Sequence, residues 1–162
     1  MKLPPNFFKS LFLAWLAAVA VDFLLNAGVF ASVFVSESSF FLPLAQAFLR
    51  IPVGYASLLL LILVLAGLIY RGKEARAAEG MRTGFLYGGA TSLGLVLGLW
   101  STTTAPLSFL AVWSIDLILE MTAAGTIIAT SRSQVSRRTV TLVTVGALAS
   151  FLVGIALQNL QA

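Results

Sequence analysis

The sequence contains no cysteine and no histidine, and these absences remove much of the chemistry that side chains bring to an active site. Without cysteine there is no structural disulfide and no thiol nucleophile. Without both residues the usual ligand sets of zinc, haem and iron–sulfur clusters are missing. Imidazole bases are missing as well. We therefore expect no catalytic residues, no metal site and no cofactor, and a protein that is not an enzyme.

Charge is also scarce. Asp, Glu, Lys and Arg make up 10% of the 162 residues and hydrophobic residues 59%, whereas a soluble domain is about 25% charged and about 45–50% apolar. The net charge of +4 does not indicate nucleic acid, because the basic residues are confined to short gaps between apolar runs. We expect the lipid bilayer to be the partner of this chain, and no nucleic acid.

Long apolar runs are what the sequence has instead. Five of them are long enough to cross a bilayer, which takes about 20 residues each; they lie near residues 10–35, 54–70, 83–102, 107–130 and 139–159. The fold predicted is all-α: one domain over 1–162, an integral membrane bundle of five transmembrane helices. A cleaved signal peptide is the alternative for the N-terminus, but the first run exceeds the usual apolar length of about 7–15 residues, which favours a retained helix.

The basic residues orient this bundle. With five crossings, nine of the ten fall on one side, and only Arg50 lies opposite. The positive-inside rule then places the N-terminus in the cytoplasm and the C-terminus outside. Four of the cytoplasmic basic residues are candidates to face lipid headgroups, where each contributes about 1 kcal/mol of attraction to anionic lipid: Arg82, Arg132, Arg137 and Arg138.

The external segment between the first two helices is too apolar for an ordinary loop. Apolar residues recur at helical spacing near 43–51, Pro43 suits a first helical turn, and Pro52 would end the helix. We expect a short interfacial helix here. It is either a lid over an outer vestibule or, as we favour, a connector in the headgroups with Arg50 reaching to water.

Small residues repeat at the spacing that lets membrane helices approach closely. They are Gly84 with Gly88 and Gly94 with Gly98 in the third predicted helix, and Gly146, Ser150 and Gly154 in the fifth. Packing within this bundle is the favoured explanation. The alternative is contact with a second copy of the chain or another membrane protein, for which the fifth helix is the better candidate.

Two of the apolar runs carry polar pairs. Asp22 and Asn26 lie four residues apart in the first, and Asp116 and Glu120 four apart in the fourth, so each pair shares one helical face. At a rise of about 1.5 Å per residue, Asp22 and Glu120 are about 20 and 18 Å from the nearest cytoplasmic basic residue, and Asn26 and Asp116 about 26 and 24 Å. If these helices touch, Asp22 therefore faces Glu120 and Asn26 faces Asp116.

The same faces carry Trp15 and Trp113, which are candidates to line a site. No Lys, Arg or His lies inside these runs to neutralise the acids, so we expect the carboxyls to share protons rather than all ionise. The favoured interpretation is that hydrogen bonds between the four side chains hold a static bundle together. The alternative is a pathway for protons or cations. A magnesium site is disfavoured at this depth.

The two polar helices are faintly similar to each other. Residues 16–26 read LAAVAVDFLLN and residues 110–120 read LAVWSIDLILE. Because the helices would run in opposite directions, a true repeat would have the inverted topology of many transporters, whose sites lie at the repeat interface. Chance matching between apolar helices is the alternative.

A stretch from residue 50 to 130 resembles an uncharacterised family of small bacterial multi-pass membrane proteins, a domain of unknown function. The resemblance lies in Gly80-Met81-Arg82-Thr83-Gly84-Phe85-Leu86-Tyr87-Gly88, Pro106-Leu107, Trp113, Glu120 and Ala124-Gly125. It implies an integral membrane protein without assigned activity in which Arg82, Trp113 and Glu120 matter. We expect a bacterial inner-membrane location and a structural or accessory subunit; the alternative is a proton- or cation-translocating channel or transporter.

Overall fold

The computed structural model describes residues 4–35, 40, 42–72, 76–132 and 134–161. It is all-helical, with 88% helix, and the described residues contain no strand. The elements are α1 (Phe7–Asp22), a π-helical segment (Phe23–Val29), α2 (Ala31–Val35), α3 (Leu44–Arg71), α4 (Ala77–Thr102), α5 (Leu107–Ser131) and α6 (Arg137–Gln161).

Four helices are long and apolar enough to cross a membrane: Phe7–Val29, Gln46–Arg71, Leu107–Ser131 and Arg137–Leu160. They correspond to the first, second, fourth and fifth predicted spans. The third, α4, is 26 residues long but is not among the four. Six of its residues are glycine, which lowers its mean hydropathy. The chain is thus a helical membrane protein with four candidate spans.

The segment between the first two spans differs from the prediction. Residues 44–51 are not a separate interfacial helix; they form the first turns of α3, which continues through Pro52 to Arg71. Proline removes only one backbone hydrogen bond, and helices in membranes tolerate it where the rest of the helix holds. Pro52 is exposed, so its ring meets no packed neighbour. The prediction that Pro52 ends a helix is wrong.

Helix α5 is the centre of the bundle. It packs against α1, α3 and α4, while α6 packs against α1 and the π-helical segment. Leu65 of α3 and Met121 and Ile128 of α5 are among the fully buried side chains of this core. Many large apolar side chains on the outside are exposed, which suits a molecule surrounded by lipid.

Close packing of α4 on α5 depends on glycine. Gly80, Gly84 and Gly88 present one face of α4, and a Cβ added to Gly80 or Gly84 would strike the backbone of Gly125 or Met121. These glycines therefore serve packing within the chain, as favoured above. Gly94 and Gly98, farther along α4, have no such neighbour within 4 Å.

The small residues of α6 divide in the same way. Gly154 packs against Phe23 and Gly28 of the π-helical segment, whereas Gly146 has no atom within 4 Å of an added Cβ. Gly154 thus serves contacts within the bundle. The surface at Gly146 remains open to lipid or to another chain.

The π-helical segment was not predicted. Its wider turn is recorded by the bond from the Phe30 amide to the Leu25 carbonyl, at 2.7 Å. Such a turn inserts an extra residue into the helical repeat and is often found at functional sites. It carries Asn26, one of the four polar residues singled out from the sequence.

Replacing Gly84 by Ala is expected to lower the free energy of unfolding by about 1–3 kcal/mol, because the new methyl group must displace the backbone of α5. Gly94→Ala in the same helix is the matched control and should cost nothing, since alanine forms helix better and meets no atom there. Denaturant titration in detergent measures both. Equal losses in the two variants would contradict the close approach of α4 and α5.

Candidate functional site

The four polar side chains meet in one cluster between α1, the π-helical segment and α5. Carboxylate oxygens of Asp22, Asp116 and Glu120 all lie within 4.8 Å of one another. The Asn26 amide nitrogen donates to Asp22 Oδ1 at 2.7 Å and to Asp116 Oδ2 at 2.8 Å. Asp116 and Glu120 are only 2% and 4% exposed, so this polar cluster is inside the bundle.

The contacts between the polar side chains match the pairing that their estimated levels in the membrane predicted. The first and fourth predicted helices are in contact, and Asn26 bonds directly to Asp116, the partner that its level in the membrane assigned to it. Asp22 lies near both acids of α5. The inverted repeat of these two helices stays a prediction.

The cluster concentrates negative charge. It holds three of the six acidic residues of the chain, and no Lys, Arg or His occurs in the apolar runs that carry them. Two carboxylates about 4–5 Å apart repel by about 3–4 kcal/mol even at an effective dielectric constant of 20. All three cannot therefore be ionised together unless a cation joins them.

Two atoms of the cluster have unused hydrogen-bonding capacity. Asn26 Oδ1 and Asp116 Oδ1 are buried and have no hydrogen-bond partner among the described residues. Both are acceptors, so what the cluster lacks is a donor or a cation. The carboxylates and the Asn26 oxygen are ligands that suit a proton or a hard cation.

A third helix contributes to the site through Tyr55. Its hydroxyl interacts with the Asp22 carboxyl, and its backbone carbonyl accepts a hydrogen bond from Trp15 Nε1 at 3.0 Å. Trp15 does not bond the acids itself; it holds Tyr55 and thus α3 against α1. Asp22 and Tyr55 are half-buried, unlike the two acids of α5.

Trp113 lies in a separate aromatic cluster one turn from Asp116, toward the start of α5. Its ring stacks on Phe109 with the centroids 5.6 Å apart, and Phe109 also contacts the rings of Phe34 and Phe40. This aromatic cluster covers the α2 end of the bundle. It packs beside the polar cluster rather than joining its hydrogen bonds.

A groove of about 370 Å³ runs between α1, α5 and α6. Its walls are apolar or small, and they include Ala17, Ala20, Ala123, Gly146 and Ser150. None of the four polar side chains lines this groove. It is a separate feature from the polar cluster.

The predicted lipid-facing arginines fall into two groups. Arg82, Arg137 and Arg138 are exposed, but Arg132 turns toward the protein. It donates to the carbonyls of Gly72 and Tyr70 at 2.7 and 3.1 Å and lies over the Tyr70 ring. Arg132 therefore caps the C-terminal end of α3, where a cation also complements the helix dipole.

Sequence reasoning missed Tyr55 and the π-helical segment. The depth estimate could have found Tyr55, because it lies sixteen residues before Arg71, or about 24 Å at the helical rise, level with Asn26 and Asp116. No periodicity in the sequence marks the π-helical turn. In the structure this segment packs against α6 through Phe23 and Gly28.

Comparison with other proteins adds no relative to this picture. No family model matches the chain, and no curated protein and no solved structure matches it.

Replacing Arg132 by Gln is expected to lower the free energy of unfolding by about 1–2 kcal/mol, because the carbonyls at the end of α3 lose a charged donor. Arg82→Gln, at an exposed position of α4, is the control and should change it by less than about 0.5 kcal/mol. Thermal or denaturant unfolding in detergent compares them. A loss of the same size in both variants would show that Arg132 acts as an ordinary surface charge.

Proposed function

We propose that this chain is a non-enzymatic integral membrane protein that binds and passes a proton or small cation at its polar cluster. The observation that carries the proposal is the meeting of three carboxyls from two helices within 4.8 Å, in apolar runs that contain no basic residue. Buried acids in membrane proteins are costly and typically mark ion or proton pathways. Proton or cation binding would also relieve the repulsion between them.

We further propose that α4 is a fifth span. Its 26 residues correspond to about 39 Å at the helical rise, longer than a hydrocarbon core of about 30 Å. Phe85, Leu93 and Trp100 along α4 are exposed, as expected of side chains in lipid. With five spans the basic residues separate to one side, with the N-terminus in the cytoplasm and the C-terminus outside a bacterial inner membrane.

Topology can be tested with single cysteines, since the natural chain has none. With five spans, a membrane-impermeant thiol reagent added outside intact cells should label Thr104→Cys and Gln158→Cys, and it should label Ser136→Cys only after lysis. All three positions are exposed in the structure. Labelling of Ser136→Cys and Gln158→Cys from the same side would exclude an α6 that crosses the membrane.

A structural or accessory subunit is the second candidate. Two observations favour it: Asn26 bridges α1 and α5 as a static hydrogen-bonding residue would, and the apolar groove beside Gly146 offers a contact surface for another chain. In that role the buried acids hold the bundle together without moving any ion. Isosteric amides should then replace them without loss.

Flux measurements separate the two functions. In proteoliposomes the wild type should carry protons or cations above the rate of empty liposomes, and Asp22→Asn and Glu120→Gln should return the flux to that background, because each removes a carboxyl from the pathway. Glu79→Gln is the matched control, since Glu79 is an exposed acid in the first turn of α4, and it should carry like the wild type.

Absence of flux from the folded wild type would reject the translocator. Flux that survives both Asp22→Asn and Glu120→Gln would place the pathway elsewhere in the protein. The second candidate instead requires a wild type without flux whose stability is unchanged by the two amide replacements.

A further inference from the structure

The two unpartnered oxygens of the polar cluster belong to side chains that are already bonded to each other. Asn26 donates from its amide nitrogen to Asp116 Oδ2 at 2.8 Å, and the atoms without a partner are Asn26 Oδ1 and Asp116 Oδ1. A buried acceptor left without a donor destabilises the folded state. One arrangement removes both costs at once.

That arrangement needs a single proton. A carboxylic acid and a primary amide can form a cyclic pair in which the amide N–H bonds one carboxyl oxygen and the acid O–H bonds the amide oxygen. The first of these two bonds is present. We propose that Asp116 permanently carries a proton on Oδ1 and donates it to Asn26 Oδ1, so that Asp116 is a neutral positioning residue that fixes α5 against the π-helical segment.

Asp22, unlike Asp116, is held in its ionised form. The second amide hydrogen of Asn26 is one of the groups that stabilise this charge. Asp22 accepts that hydrogen at 2.7 Å, and the donor hydroxyl of Tyr55 also interacts with the Asp22 carboxyl. Two donors directed at one carboxyl stabilise its ionised form. Asp22 is therefore the fixed anion of the cluster, held from α3 as well as from its own helix.

Glu120 is left as the carboxyl that exchanges. Both amide hydrogens of Asn26 are used by the two aspartates, so Glu120 receives neither, although its carboxyl lies within 4.8 Å of theirs. A proton taken from water forms the O–H bond of Glu120 and leaves by breaking the same bond, while Asp116 keeps its own. This division of roles rests on the proposed function, whereas the proton on Asp116 stands on the geometry alone.

The groups facing Asp116 are Asp22 and Asn26 from the first membrane helix, Glu120 from its own helix and Tyr55 from α3. None of them carries positive charge. Apart from the Asn26 amide, no group in this set favours an Asp116 carboxylate, and an ionised Asp22 opposes it because like charges repel strongly in a medium of low dielectric constant.

Asp116→Asn tests the assignment by stability. The new amide can donate to Asn26 Oδ1 and accept from the Asn26 nitrogen, as the protonated acid does, so the denaturant midpoint should stay at the wild-type value. Asp116→Leu, which cannot pair with Asn26, should lower that midpoint. A folded Asp116→Asn protein as unstable as Asp116→Leu would overturn the neutral role.

Infrared spectroscopy tests the proton itself, without any transport. The chain has only two aspartates, Asp22 and Asp116, so carboxyl-labelled [¹³C]aspartate reports on these two groups. Near neutral pH we expect one isotope-shifted band of a protonated carboxyl in the wild type and in Asp22→Asn, and its absence in Asp116→Asn. A wild type with labelled bands of ionised aspartate alone would overturn the proposal.

The two readouts keep the proposals apart. If the labelled band is present but the wild type carries no flux, the translocator fails and the proton on Asp116 stands. If flux is present but the band is missing, the translocator stands and the proton assignment fails.

Discussion

Three carboxyls meet inside this bundle, in apolar runs that contain no basic residue. Each such group is expensive in a medium of low dielectric constant, and three within 4.8 Å repel one another as well. An amide side chain offsets part of this cost by donating hydrogen bonds to the carboxyls. Asn26 donates to both aspartates, and Tyr55 adds a donor from a third helix, so that the polar cluster is held by neutral groups.

Helix packing brings the side chains of the polar cluster together. Glycines let α4 lie closely on one face of α5, which leaves the other face free to meet α1 and α3. Trp15 then ties Tyr55 to α1, and Arg132 ties the far end of α3 to the end of α5. The polar cluster is thus fixed at several points along each helix rather than by its own hydrogen bonds alone.

The π-helical segment connects the polar cluster to the remaining helix. It places Asn26 against Asp116 while Gly28 and Phe23 pack on Gly154 of α6. A wider helical turn changes which residues share a face, so it can aim Asn26 at α5 and Phe23 at α6 together. The π-helical segment thus contacts α6 on one side and the polar cluster on the other.

Apolar run length and helical rise are local properties of a chain, so the sequence alone was enough to predict a helical membrane protein and the relative level of each polar residue. Those levels paired Asn26 with Asp116, as the structure has them. Helix packing was needed to show that α3 runs unbroken through Pro52, that Tyr55 joins the site, that Arg132 caps a helix instead of facing lipid, and that a π-helical turn carries Asn26. These features depend on which neighbour each helix contacts, and apart from the glycine spacing the apolar residues do not identify that neighbour.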